Sequence, residues 1–322
     1  MYKFLKRWWN YGRTNRWWIY FQERFPPLKN GLLIAIFAAS AVGYSALLSM
    51  AAGSTRTDLI PLPGFILIAF ISLFISFFQL RVSDEFKDYA DDMKYRPYRP
   101  VPRGVVSLDD LGFVAIATAA VQVGLAVPLD LRLVPLLGLL WFYMVLMRQE
   151  FFIPHWLKAH PWFYLISHMV IMPLLAFYAS ACYWLPAQVF PGKGLGWFLV
   201  VSFFNGMVIE LGRKIRAPEQ EETGVETYTA LWGRPRAVAS WLAAVAGMAI
   251  ATLFAARPIA ALPLVAIVLL VLLTAAMVVA WRFLSHPVAA WARGFELLSG
   301  LGTLLVYASL GLLPFILPSA TP

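Results

Sequence analysis

Residues 81–104 read RVSDEFKDYADDMKYRPYRPVPRG, a densely charged stretch in a 322-residue chain that is 61% hydrophobic and 13% charged. A 17-residue apolar run, Gly64 to Leu80, precedes it, and another apolar run starts near Leu111. Asp84, Asp88 and Asp92 stand at i, i+4 and i+8. On a helix each step of four advances about 6 Å and turns only about 40°, so three such carboxylates form a ladder on one face. Like charges that close repel, and the arrangement fits a place where a cation sits. Arg96 and Arg99 follow, stiffened by Pro97, Pro100 and Pro102. Acids followed by held arginines point to a metal-bound polyphosphate. The plain alternative is a solvated loop steadied by i,i+4 pairs such as Lys87 with Asp91.

Around this stretch the chain reads as an all-α membrane protein. Nine apolar segments lie near 31–50, 64–80, 109–129, 133–149, 162–184, 195–211, 237–256, 259–283 and 296–317. Most reach the length a helix needs to cross about 30 Å of hydrocarbon. Residues 1–30 form a separate basic and aromatic segment, with Trp8, Trp9, Trp17 and Trp18 suited to the headgroup level, and 31–322 the membrane domain. No apolar core with a small-residue cleavage site follows the first cations, so no cleavable signal is expected. The single cysteine, Cys182, excludes an internal disulfide, and the four histidines show no zinc spacing.

The net charge of +9 could indicate nucleic acid, but no soluble basic domain exists to bind it. Topology explains the sign better. Of the 26 Lys and Arg, 22 lie before the first span or in the even-to-odd connections, and only Arg56, Arg132, Lys193 and Arg257 lie on the other side. That asymmetry predicts a cytoplasmic N-terminus, cytoplasmic motif loops and an outer C-terminus, in what is expected to be a bacterial inner membrane.

A second polar connection, 210–236, reads ELGRKIRAPEQEETGVETYTALWGRPR and follows the sixth span as the first stretch follows the second. The layout suggests two four-helix units whose loops meet over one site. Between them, the connection from Arg148 to Lys158 carries aromatic residues and Glu150, and fits either polar contacts to a ligand through Arg148 and Glu150 or an interfacial aromatic belt. His168, Gln79 and Asn205 are polar groups within or at the ends of spans and are expected to face the interior.

The quoted stretch resembles the first aspartate-rich motif of the UbiA superfamily of intramembrane prenyltransferases, NDxxDxxxD followed by RPxxxG. Asp88 and Asp92 match its aspartates, Arg99, Pro100 and Gly104 match RPxxxG, and Asp84 and Glu85 stand in place of Asn and Asp. The second loop departs from the family's DxEGDxxxGxxTL: it keeps Gly224, Thr227 and Gly233, but Arg213, Arg216 and Gln220 occupy the acid positions. The resemblance implies a nine-helix UbiA-like bundle around a central cavity open to the cytoplasm. It also implies Mg²⁺-dependent transfer of an isoprenyl group from its diphosphate to an aromatic or lipid-soluble acceptor.

On that reading Asp84, Asp88 and Asp92 are the catalytic and metal-binding acids, with Glu210 as a further candidate ligand from the second loop. Arg96, Arg99, Arg148, Arg213 and Lys214 are the candidate diphosphate-binding cations, with Arg213 and Lys214 standing in for a second metal. Two rivals are a terpene cyclase on the same scaffold and a membrane transporter. The transporter fits less well, because ionisable groups gather at the cytoplasmic helix ends rather than mid-span.

Overall fold

The computed structural model describes residues 16–53, 62–222 and 224–317. Trp8, Trp9, the first four cations, Arg56 and the C-terminal tail lie outside the described residues. Residues 16–24 form α1, followed by α2 (Pro27–Ala51), α3 (Leu62–Lys87), α4 (Tyr89–Tyr95), α5 (Leu108–Leu129) and α6 (Leu133–Arg148). Then come α7 (Pro154–Ala159), α8 (Pro161–Met169), α9 (Ile171–Trp184), α10 (Leu195–Arg213), α11 (Tyr228–Trp232) and α12 (Arg234–Ala256). The last three are α13 (Leu262–Ser285), α14 (Ala289–Gly311) and α15 (Leu313–Ile316). The described residues contain no strand.

Among the described residues, eight helices are long and apolar enough to cross a membrane, with α8 and α9 together making one of them. The ninth expected span, α6, is a 16-residue apolar helix. At 1.5 Å per residue it measures about 24 Å, short of the hydrocarbon thickness. A tight turn shortens it: Asp130 accepts from the Arg132 backbone at 2.8 Å, and the Arg132 guanidinium donates to Leu185 O at the end of α9 at 2.8 Å. The bend between α8 and α9 has a covalent cause, since Pro173 supplies no N–H for the carbonyl of Met169.

The helices repeat one packing pattern twice. In the first half α2 packs on α3, α3 on α5 and α5 on α6; in the second, α9 packs on α10, α10 on α12 and α12 on α13. The halves join through α2 with α9 and α3 with α9, and α14 completes the bundle by packing on α2, α10 and α13. A methyl group on Gly43 would lie 2.1 Å from the Gly311 carbonyl oxygen, so α2 and α14 touch backbone to backbone. Small residues make such closeness possible, and in lipid that closeness replaces the hydrophobic drive.

α1 is packed on the bundle rather than separate from it. Tyr20 is fully buried, and Phe21 and Phe25 meet Phe78 with ring centroids 5.4 and 5.8 Å apart. Three ion pairs tie α1 to the first polar stretch and its neighbours: Arg24 with Glu85, Glu23 with Arg103 at 2.8 Å, and Arg16 with Asp110 at 3.1 Å.

Candidate functional site

The acid ladder is built across a helix break. α3 ends at Lys87 and α4 starts at Tyr89, with Asp88 at the junction. The backbone still donates from Asp88 to Asp84 and from Asp92 to Asp88, both at 2.8 Å, so the four-residue spacing survives. The three carboxylates nevertheless differ in surroundings. Asp92 is 2% exposed and takes the Arg99 guanidinium through both oxygens, at 2.9 and 2.7 Å, with Arg96 at 3.2 Å. Arg96 and Arg99 are thus held by Asp92. Asp84 pairs with Arg81 one turn earlier.

The Asp88 carboxylate has no hydrogen-bond or ion-pair partner among the described residues. Burial pushes its carboxyl above the ordinary aspartate range, and the Asp84 and Asp92 charges push the same way, outweighing nearby Lys87.

The second polar loop ends α10 with its own ion cluster. Glu210 accepts from Arg213 at 2.6 Å and from Lys214 at 3.0 Å, so one carboxylate faces two cations. Two further acids of this loop serve its fold. Glu221 takes the hydroxyls of Thr227 and Thr229 at 2.6 Å each, and Glu219 caps α14 by accepting from the Ala289 backbone at 2.8 Å.

The two loops meet. Gly224 has φ +79, and a side chain there would sit 2.5 Å from the Tyr95 ring; Tyr98 donates to Glu222 at 3.5 Å. Deeper in, the carboxylates of Glu150, Asp88, Asp84 and Glu210 all lie within electrostatic reach of the Tyr164 phenol, and Asp84 within reach of Arg213. One cation stands elsewhere: Arg148 is exposed and lies over the Phe86 ring at 4.4 Å.

No family model and no curated protein matches the chain by sequence. Among solved structures, a UbiA homologue from Aeropyrum pernix K1 superposes with a TM-score of 0.63 at 15% identity, covering 88% of this chain and 98% of that one. A digeranylgeranylglyceryl phosphate synthase superposes with a TM-score of 0.54 at 13% identity, covering 87% and 96%. A UbiA homologue from Archaeoglobus fulgidus bound to DMAPP and Mg²⁺ gives 0.50 at 12% identity, covering 88% and 99%. The chain has the UbiA fold.

Within this UbiA fold the residues around Asp88 suit magnesium by their chemistry. Mg²⁺ is commonly held by one or two carboxylates, waters and substrate phosphates rather than by an all-protein cage. Asp88, a half-buried carboxylate with no ion-pair partner, and Asp84 one turn earlier supply such a donor set. No group of three or more candidate ligands clusters among the described residues.

Sequence reading missed one constellation entirely. Lys87, inside the first motif, pairs with Glu150 at 3.2 Å, donates to the Tyr164 hydroxyl and meets His168 Nε2 at 3.4 Å. Its partners lie 63, 77 and 81 residues away, so no local spacing announces it. The available hints were a lysine among aspartates and a histidine within a span.

Proposed function

We propose that the protein transfers an isoprenyl group from an allylic diphosphate to an aromatic or lipid-soluble acceptor within the membrane, in a Mg²⁺-dependent reaction. The observation that carries this reading is the meeting of two polar loops, one with an unpaired carboxylate and the other with two cations on one carboxylate. The first brings an uncompensated carboxylate, Asp88, and the second brings Arg213 and Lys214 against the single acid Glu210. A diphosphate is the ligand that needs both a metal and fixed cations.

Asp88 and Asp84 would hold the metal, which when bound neutralises charge building on the departing diphosphate. Lys214 and Arg213 orient and neutralise the phosphates from the opposite loop, an electrostatic contribution that grows as the C1–O bond breaks. Asp92 keeps Arg96 and Arg99 in place at the mouth, where an arriving phosphate can recruit them from their carboxylate. The apolar tail lies among the helices, and the positive-inside balance puts the polar loops in the cytoplasm.

Incubating the purified protein with Mg²⁺ and allylic diphosphates of several lengths, with and without aromatic and lipid acceptors, tests the proposal. Diphosphate release coupled to a prenylated acceptor is the expected result. A cyclic hydrocarbon formed without acceptor would replace transfer by cyclisation, and no release from any donor, with solute flux in liposomes, would replace both by transport.

A further inference from the structure

We propose that Lys87 is a positioning residue that latches the connection between α6 and α7 onto the first aspartate motif, and that this latch keeps water from the allylic cation; the second half of this proposal rests on the prenyl-transfer reading above. The ammonium has three donors and three protein acceptors: Glu150 at 3.2 Å, the Tyr164 hydroxyl, and His168 Nε2 at 3.4 Å. Its side chain is 15% exposed and that of Glu150 9%. The acceptors come from the connection and from α8, so one side chain at the end of α3 gathers two other segments.

The connection would not hold its shape unaided. Glu150, Phe151 and Phe152 have φ of 48, 53 and 61, three consecutive left-handed residues without a glycine. For a residue with a Cβ this conformation is disfavoured relative to right-handed backbone. Such a turn persists where its surroundings over-determine it. The surroundings here are the Lys87–Glu150 pair and the Phe151 ring, which meets Tyr143 at 5.7 Å and His168 at 5.8 Å. His168 in turn stacks on Tyr164 at 4.1 Å and bonds the Tyr164 carbonyl through Nδ1 at 2.8 Å. Lys87, Glu150, Tyr164, His168 and Phe151 therefore move as one piece, and that piece borders Asp84 and Asp88.

A closed site matters because an allylic cation reacts with any nucleophile, water included. If the latch opens, the C1–O bond still breaks with its electron pair leaving on the diphosphate. A water oxygen then bonds to C1 and gives up its proton to solvent, and the product is the allylic alcohol.

The test uses Lys87→Met, Glu150→Gln and Lys87→Arg in the full-length protein. Amide exchange of residues 149–160, read without any ligand, should rise about tenfold or more in Lys87→Met and Glu150→Gln, since breaking a buried pair is costly. Lys87→Arg should restore most of the protection, while α10 and α14 exchange as in the wild type. Unchanged exchange at 149–160 would overturn the latch. With geranylgeranyl diphosphate and Mg²⁺ but no acceptor, the same two variants should release about tenfold more alcohol than wild type. Alcohol release unchanged beside raised exchange would overturn the water-excluding role. If no variant and no wild-type sample releases diphosphate under any condition while exchange responds as stated, the latch stands and the prenyl-transfer reading fails.

Discussion

The two polar loops occupy equivalent places in the repeated halves of the bundle, yet they balance charge in opposite ways. The first loop distributes Asp84, Asp88 and Asp92 so that two are answered by arginines and Asp88 by none. The second places Glu210 at the end of α10 and answers it twice, through Arg213 and Lys214. Burying an unanswered carboxylate is expensive, and a bound cation relieves the cost. The excess cation of the second loop has the converse need, an anion. The same scaffold position therefore holds a cation-seeking group in one half and an anion-seeking group in the other, and a metal diphosphate satisfies both.

The sharpest way to break this comparison is to neutralise Asp88. Asp88→Asn should lower Mg²⁺-dependent turnover about a hundredfold or more, because the metal's charge stabilisation amounts to several kcal/mol. A steady-state assay over a Mg²⁺ series checks it, and turnover within threefold of wild type would remove Asp88 from the site. A pH series adds the sign. Because the folded-state carboxyl titrates above its unfolded value, ionising it costs stability, and that cost appears as pH rises through the folded value. Without Mg²⁺, the thermal advantage of Asp88→Asn over wild type should grow from about pH 4 toward neutrality and shrink when Mg²⁺ is added.

Next in size is a matched pair. Asp92→Asn leaves Arg96 and Arg99 facing each other, and Glu210→Gln leaves Arg213 and Lys214 in the same state. Asp92→Asn should lose about 3 kcal/mol of stability, the scale for a buried pair deprived of one partner, whereas Glu210→Gln, whose cations are partly exposed, should lose about 1 kcal/mol. Calorimetry in detergent measures both. If phosphate is the second loop's natural counter-ion, diphosphate should recover much of the loss in Glu210→Gln. A smaller effect isolates the cation itself: Lys214→Met should raise the donor KM about tenfold, the value of one charge-assisted hydrogen bond, with the Mg²⁺ dependence retained.

These contrasts were only partly legible in the chain. The helices, their order and the first loop's acids follow from apolar run length and four-residue spacing, both local properties. The pairing of Asp92 with Arg96 and Arg99 is also local, four and seven residues on, although spacing alone presents those arginines as open to phosphate. What escaped reading is long-range. Arg24 reaches Glu85 across 61 residues and Lys87 reaches Tyr164 across 77, and only the bundle brings them together. The shortness of α6 depends on a turn stapled to Leu185 by Arg132, again a tertiary contact.

The smallest expected effect separates composition from placement. Arg148 sits at the end of α6, close in sequence to the connection between α6 and α7, and its charge alone would nominate it for a phosphate. Its guanidinium instead lies over the outer face of Phe86, 4.4 Å from the ring centroid, and the residue is exposed. An exposed contact of this kind is worth about 0.5–1 kcal/mol. Arg148→Met should therefore shift the donor KM less than about twofold, against about tenfold for Lys214→Met. Measured side by side in one donor titration, equal losses would place Arg148 on the phosphates and extend the anion-binding half to the connection. Unequal losses confine it to the end of α10.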